Sequence, residues 1–266
     1  MKTTASGNPA DEPASEETAE RFSFRSSKGR ADLNPYVDRI AEHGDLVLTA
    51  EQAEQQRGNW RALLGKDETA PLLLEIGPGN GFFFAALTTR FPHAVALAIE
   101  IRFKRVWLTA DKARRSGQEN FRVIHHHSGY LDLLFDPGEL EAVYVNHPDP
   151  WPKERHHKHR LLQPAFATSL ARYLKPGGEV WIKSDFSPYG PLSQEVFADT
   201  ASWEELAYTT DLHGEGHKLL TEAPSNARFW CADSETNYER KSRKKGETIM
   251  LAGYRLVSTD PDAAHP

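Results

Sequence analysis

A chain of 266 residues with 39% hydrophobic residues and a net charge of −6 is long enough to bury a sizeable core. Its single cysteine, Cys231, excludes an intramolecular disulfide framework. The N-terminus lacks an apolar signal-like segment, and the longest apolar runs, Phe82 to Leu87 and Ala94 to Ile99, are far shorter than the roughly 20 residues of a bilayer span, so a cytoplasmic protein with no membrane partner is expected.

Residues 1–20 contain five acidic residues, one lysine and no Leu, Ile, Val, Phe, Tyr or Trp. Such a segment buries too little apolar surface to offset the entropy of ordering and is expected to be a disordered acidic tail. Residues 259–266 read the same way, and the body between the two tails is neutral overall. Residues 21–70 form a lead-in, in which Thr49-Ala50-Glu51-Gln52 has the spacing of a capping box and predicts a helix running to about Leu64.

From residue 71 to 258 the pattern alternates. Strands are predicted at Leu72 to Ile76, Val95 to Ile99, Phe121 to Ile124, Glu141 to Val145 and Glu179 to Ile182. Helices are predicted at Phe82 to Arg90, Arg102 to Arg115, near Leu131, and at Leu161 to Leu174. A helix at about Leu192 to Thr200, a strand near Leu206 to Thr209 and an extended stretch from Thr248 to Val257 complete the chain. Most of these strands lack period-two alternation, as expected for a sheet covered on both faces. The expected fold is therefore α/β: one doubly wound, mostly parallel sheet of seven strands with helices on both faces.

The first strand of this series ends in Glu75-Ile76-Gly77-Pro78-Gly79-Asn80-Gly81 and leads directly into a helix. Glycines at this point let the backbone approach a ligand lying over the carboxyl edge of the sheet. A dinucleotide loop, G-x-G-x-x-G, would need its third glycine at position 82, which is Phe82. The spacing Gly77-x-Gly79-x-Gly81, preceded by Glu75, is instead similar to the S-adenosylmethionine loop of class I, Rossmann-like methyltransferases. Glu100 closes the next strand, where a carboxylate can hold ribose hydroxyls.

The fourth apolar run ends in Asn146-His147-Pro148-Asp149-Pro150-Trp151, followed by Pro152 to Arg160 with four Lys or Arg, three His and one Glu. Two prolines fix φ on either side of Asp149 and aim its carboxylate, while the basic strip suits a surface that meets phosphates. Five of the six residues Arg240 to Lys245 are also basic. The histidines of His125-His126-His127 and of the strip do not combine with a second cysteine into a metal-ligand pattern, so no metal is expected. No G-x-S-x-G elbow occurs.

The Asn146 to Arg160 segment, with Glu75-Ile76-Gly77 before it and Lys183-Ser184-Asp185 and Thr236-Asn237-Tyr238-Glu239 after it, resembles the bacterial tRNA (guanine-N7)-methyltransferases from about Arg30 to Val257. The resemblance implies methyl transfer from S-adenosylmethionine to N7 of a guanine in the tRNA variable loop, with tRNA as the partner and no obligate protein partner. It implies cofactor contacts for Glu75, Gly77, Gly79, Gly81, Glu100 and Asp149, a catalytic role for Asp149, and substrate contacts for Lys153, Asp185, Thr236, Asn237, Tyr238 and Glu239. Two positions depart from the family pattern. His127 stands where an adenine-contacting Asp is usual, and His147 stands where an aromatic or small residue is usual.

N7 of guanine already carries a lone pair, so the reaction needs alignment and electrostatics more than a strong base. Trp151 could stack on the target base or anchor the turn; stacking is worth roughly 1–3 kcal/mol per base. An amino-directed methyltransferase with an N-P-P-Y loop is disfavoured because Asp149 separates the prolines. A non-catalytic tRNA-binding protein on the same fold, with cofactor binding weakened at His127, is the alternative reading.

Overall fold

The computed structural model describes residues 34–200 and 202–258; the two expected tails, 1–20 and 259–266, lie outside them. Eight strands form one sheet: β1 (Val47–Leu48), β2 (Leu72–Ile76), β3 (Val95–Glu100), β4 (Phe121–His125), β5 (Leu140–Asn146), β6 (Leu174–Ser184), β7 (Ser202–Thr209) and β8 (Met250–Ser258). Their spatial order is β1-β4-β3-β2-β5-β6-β8-β7. Pairings among β1 to β6 are parallel, and β8 runs antiparallel to both β6 and β7. The chain order reverses between β2 and β5, so the loops leaving these two strands diverge and open a crevice at the carboxyl edge.

The buried strands alternate between two apolar layers. Leu72, Leu74 and Ile76 face one layer with Leu97, Ile99, Val143 and Val145. Leu73 faces the other with Ala96, Ala98, Ala142 and Tyr144. Every residue of β2 and β3 is buried, which explains why these segments carry no polar alternation. The first layer is covered by α6 (Pro164–Tyr173) and α7 (Tyr189–Ala198). The second is covered by α4 (Phe82–Arg90) and α5 (Phe103–Arg115).

The N-terminal lead-in is part of this body. It begins with α1 (Pro35–Arg39), and β1 adds an eighth strand by pairing with β4. Trp60 is fully buried and its indole N–H donates to the Leu134 carbonyl at 2.8 Å. Leu48, Ala53 and Trp60 of the lead-in join the same apolar layer as the strands that follow residue 71. The capping box forms as expected: Thr49 Oγ1 accepts from Gln52 N, and Gln52 Oε1 accepts from Thr49 N. The single helix expected to follow is instead split into α2 (Ala50–Glu54) and α3 (Trp60–Leu63). Gly58 lies in the break at φ +73, and a Cβ there would stand 2.6 Å from an Asp136 carboxyl oxygen. Close approach and backbone hand both end the helix.

Among the described residues, no helix is long and apolar enough to cross a membrane. A last helix, α8 (Asn237–Lys244), precedes β8 and carries residues toward the crevice.

Candidate active site

The crevice at the β2/β5 switch point is a cleft of about 870 Å³. Its wall includes Glu75, Gly77 and Gly79 from the loop after β2, Glu100 at the end of β3, and His127 after β4. Asp149 comes from the loop after β5, Asp185 from beyond β6, and Thr236, Asn237 and Tyr238 from the start of α8. Ten of the thirteen residues singled out in the sequence thus meet on one surface. The exceptions are Gly81, Lys153 and Glu239.

Each exception has a physical reason. Gly81 lies at φ +72, and a Cβ there would sit 2.6 Å from the Thr109 Cα. Its smallness lets α4 pack against α5. Lys153 is exposed at the head of the 3₁₀ turn Glu154–His159, outside the cleft wall. Glu239 is fully buried. Its Oε2 accepts from Lys183 Nζ at 2.7 Å and from Thr236 N at 3.2 Å, and its Oε1 meets His213 Nε2 at 2.7 Å. Burial opposes ionisation, but the Lys183 ammonium and these hydrogen bonds hold the Glu239 carboxyl below its ordinary value. With both oxygens engaged, Glu239 closes the capping box of α8, in which Thr236 Oγ1 accepts from Glu239 N. It positions the helix start instead of facing the cleft.

Glu75 is the most unusual group on the wall. It is 1% exposed; Asn146 Nδ2 donates to Oε1 at 3.0 Å, and Oε2 has no hydrogen-bond partner. Burial pushes its carboxyl up to about 8. Leaving a buried acceptor unsatisfied costs about 1–3 kcal/mol, which a ligand donor at that oxygen would recover. Asn80 on the same wall also has a buried Oδ1 without a partner. Glu100 accepts from Arg102 N at 2.9 Å through Oε1, and burial raises its carboxyl too.

The loop after β5 is more constrained than its prolines alone require. His147 and Trp151 are the two positive-φ residues other than glycine among the described residues, at +51° and +41°. Non-glycine residues held there cost of order 1–3 kcal/mol, and such strain concentrates where the surroundings fix a functional geometry. Here Tyr189 Oη donates to the Asp149 carbonyl at 2.6 Å. Arg160 Nε donates to the Pro150 carbonyl at 2.9 Å, so this member of the basic strip clamps the loop. The Asp149 side chain projects outward, 70% exposed, with Arg102 Nη2 at 3.9 Å. Trp151 packs beside His156 and His159 at ring separations of 5.7 and 5.3 Å, still 36% exposed at the rim.

Asp185 and His147 form a pair that the sequence did not display as one. His147 Nδ1 lies 3.3 Å from Asp185 Oδ1, and Ser242 Oγ donates to Asp185 Oδ2 at 2.5 Å. The His147 hydrogen bond, with Ser242 adding to it, holds the Asp185 carboxyl well below the usual carboxylate range. His127 is also oriented, because its Nδ1 accepts from Gly129 N at 2.9 Å. With a single proton on the ring, that proton sits on Nε2. The other histidines of that triplet are wired into the fold: His125 Nε2 lies 2.9 Å from the Ile101 carbonyl, and His126 Nε2 lies 3.2 Å from Glu54 Oε1. Among the described residues, no group of three or more His, Cys, Asp or Glu is placed to hold a metal.

Comparison with known proteins gives the family. Residues 69–252 match the family described as "Putative methyltransferase". The tRNA (guanine-N(7)-)-methyltransferase of Leuconostoc mesenteroides is 32% identical over 80% of this chain and 92% of its own length. The chain belongs to this family. The tRNA (guanine-N(7)-)-methyltransferases of Oenococcus oeni, 31% identical over 78% of this chain and 89% of theirs, and of Treponema pallidum, 31% identical over 81% and 82%, span the same body. Among solved structures, an aminoglycoside resistance methyltransferase aligns over 79% of this chain and 94% of its own at 15% identity and a TM-score of 0.45.

The site also joins segments distant in the sequence. Asn146 orients Glu75 from 71 residues away, and Arg102 stands beside Asp149 from a different strand end. Arg102 follows Glu100 by two residues, which was the available clue to its place on the rim.

Proposed function

We propose that this protein transfers a methyl group from S-adenosylmethionine to N7 of a guanine in tRNA, in the variable loop as the family motif implies. The observation that carries the reading is the convergence of Glu75, Glu100 and Asp149 on one cleft at the switch point of the sheet. S-adenosylmethionine supplies an electrophilic methyl on a sulfonium sulfur. The residues present fit such a ligand: the half-satisfied Glu75 carboxyl offers a buried acceptor for its ammonium group, and a ribose would meet Glu100. His127 would donate from Nε2 to a ring nitrogen of adenine, where the usual aspartate accepts from the amino group.

The bound cofactor would offer its methyl to the guanine N7 lone pair, with the thioether as leaving group and positive charge passing to the purine. Asp149 at the rim would oppose that charge, held in place by a backbone that does not reorganise during the step. The target base must leave its stack to reach the cleft, and Trp151 offers a ring at the rim. Lys153 and Lys158 are exposed beside it, placed to meet phosphates. The orphaned Glu75 oxygen counts against a fold that has lost its cofactor, because nothing else in the described structure employs it.

The test is nucleoside mass spectrometry of tRNA incubated with the purified protein and S-adenosylmethionine, beside Asp149→Ala. Formation of 7-methylguanosine by the wild type and a loss of at least about 100-fold in the variant are expected. The exposed Asp149 side chain makes few contacts, so the variant should melt like the wild type. A variant with near-normal turnover would remove Asp149 from the mechanism.

A further inference from the structure

The His147–Asp185 pair lies on the cleft wall, and His147 has no role in the reaction as described so far. His147 is one of the two departures from the family pattern, and the structure builds a specific chemistry around it. Its backbone N–H donates to the Lys183 carbonyl at 2.7 Å and its φ is +51°. Its ring is 3% exposed and stacks against Tyr238 with centroids 6.0 Å apart and planes 27° apart. Nδ1 faces Asp185 Oδ1 at 3.3 Å, while Nε2 is buried without any hydrogen-bond partner.

Asp185 is anionic and can only accept, so the Nδ1 facing it must carry a proton. With a single proton on the ring, that proton sits on Nδ1 and Nε2 presents a lone pair. An oriented acceptor has been assembled on the cleft wall with nothing to accept from. Tyr238 is the group that lies against it; this ring is 46% exposed and tied outward only by a 3.4 Å contact from Arg105 Nη2 to its hydroxyl. Tyr238 thus covers a face of the His147 ring on the cleft wall.

We propose that His147 is a guanine-reading residue: its Nε2 accepts a hydrogen bond from the N1–H or 2-amino group of the target base, with Asp185 as the positioning residue that fixes the tautomer. Two observations favour the base over the cofactor. The cationic end of the cofactor already has a buried acceptor in Glu75 Oε2. His147 also belongs to the same strained loop as Asp149 and Trp151, which lead outward to the rim where an RNA base arrives. Adenine presents an acceptor at N1 where guanine presents a donor, so the acceptor tautomer favours guanine.

This inference rests on the methyltransferase reading, and the experiment separates the two. Wild type, His147→Phe and His147→Gln are compared for 7-methylguanosine formation on tRNA under steady state and for affinity toward S-adenosylhomocysteine by calorimetry. Phenylalanine keeps an aromatic ring beside Tyr238 but cannot accept; glutamine can place an amide oxygen where Nε2 stands. The expected result is a 10- to 100-fold fall in kcat/KM for tRNA in His147→Phe, with S-adenosylhomocysteine affinity within about threefold of wild type and most of the loss recovered in His147→Gln. Retained cofactor affinity also verifies that the variant is folded. Unchanged turnover in His147→Phe overturns the proposal, as does a parallel loss of cofactor affinity or a failure of glutamine to recover activity. A wild type that binds cofactor yet methylates no tRNA would instead sink the underlying function.

Discussion

A cofactor ammonium seated at Glu75, as proposed, would couple proton binding to ligand binding. Burial raises its carboxyl to about 8, so at pH 7 roughly nine in ten of these groups hold a proton in the ligand-free protein. A ligand ammonium seated against Oε2 favours the ionised form and expels that proton. If only the ionised form binds well, apparent affinity should rise about ninefold from pH 6 to 7, about fivefold from pH 7 to 8, and then level off. Calorimetric titration of S-adenosylhomocysteine in two buffers of different ionisation enthalpy gives the proton count directly, with about 0.9 released at pH 7 and about 0.5 at pH 8. Glu75→Gln should abolish the release attributable to this site. No release together with a flat pH profile, or equal release from the variant, would refute the assignment.

The same carboxyl affects stability with a definite sign. Its folded value lies above the ordinary 4.5, so its contribution is fully present below pH 4.5 and is lost as the pH rises through 8. Complete ionisation without a partner costs on the order of 4–5 kcal/mol as an upper bound. The ligand-free protein should therefore lose stability between pH 6 and 8.5, and Glu75→Gln should flatten that loss.

Three further outcomes follow from the packing. Glu239→Ala leaves the Lys183 ammonium buried without its carboxylate and should lower unfolding free energy by about 3–5 kcal/mol in urea titrations. Gly81→Ala combines a left-handed backbone with a 2.6 Å approach to Thr109 Cα and should cost about 2–5 kcal/mol, read from the thermal midpoint; Gly77→Ala, at φ +69 with open space around its Cβ, should cost only about 1–2 kcal/mol. His43 is buried beside Trp107 with neither ring nitrogen hydrogen-bonded, and burial lowers its pKa. Its contribution is present above about pH 6.5 and lost as the pH falls, so His43→Phe should weaken the acid dependence of urea unfolding.

The central strands were legible because burial on both faces writes itself into sequence as continuous apolar runs; Leu72–Ile76 matches residue for residue. β1 was not legible, since two residues, Val47 and Leu48, carry no periodicity and become a strand only through pairing with Val123 and Ile124. The cleft was legible where a loop leaves a strand of the switch point, as for Gly77, Gly79 and Asp149. Motif matching reached further than spatial reasoning but did not distinguish residues facing the ligand from those holding them. Thr236-Asn237-Tyr238-Glu239 has the same Thr-x-x-acid or amide spacing as Thr49 to Gln52, and both segments form capping boxes. Reading the second as a cap would have committed one Glu239 oxygen to the backbone at once. Its ion pair with Lys183, 56 residues away, required the fold.

The loop after β5 carries the same lesson in its backbone. Prolines at 148 and 150 restrict their own φ and bias the residue before each toward extended conformations, which accounts for a stiff Asp149 but not for where it points. The direction comes from left-handed turns at His147 and Trp151; histidine is enriched at positive φ but still adopts it too seldom to mark the position, and tryptophan carries no such signal. Those turns are held by Tyr189 on the Asp149 carbonyl, Arg160 on the Pro150 carbonyl, and Lys183 and Asp185 on His147. The strain is thus local, while the groups that sustain it come from β6, α7 and the basic strip. A change at Tyr189 or Arg160 should reach the chemistry through Asp149 without touching a ligand. Tyr189→Phe is the cleanest probe: it deletes one hydrogen bond to the loop and should lower kcat more than it raises KM for tRNA. An unchanged kcat would mean that the two left-handed turns aim Asp149 without help from the helix behind them.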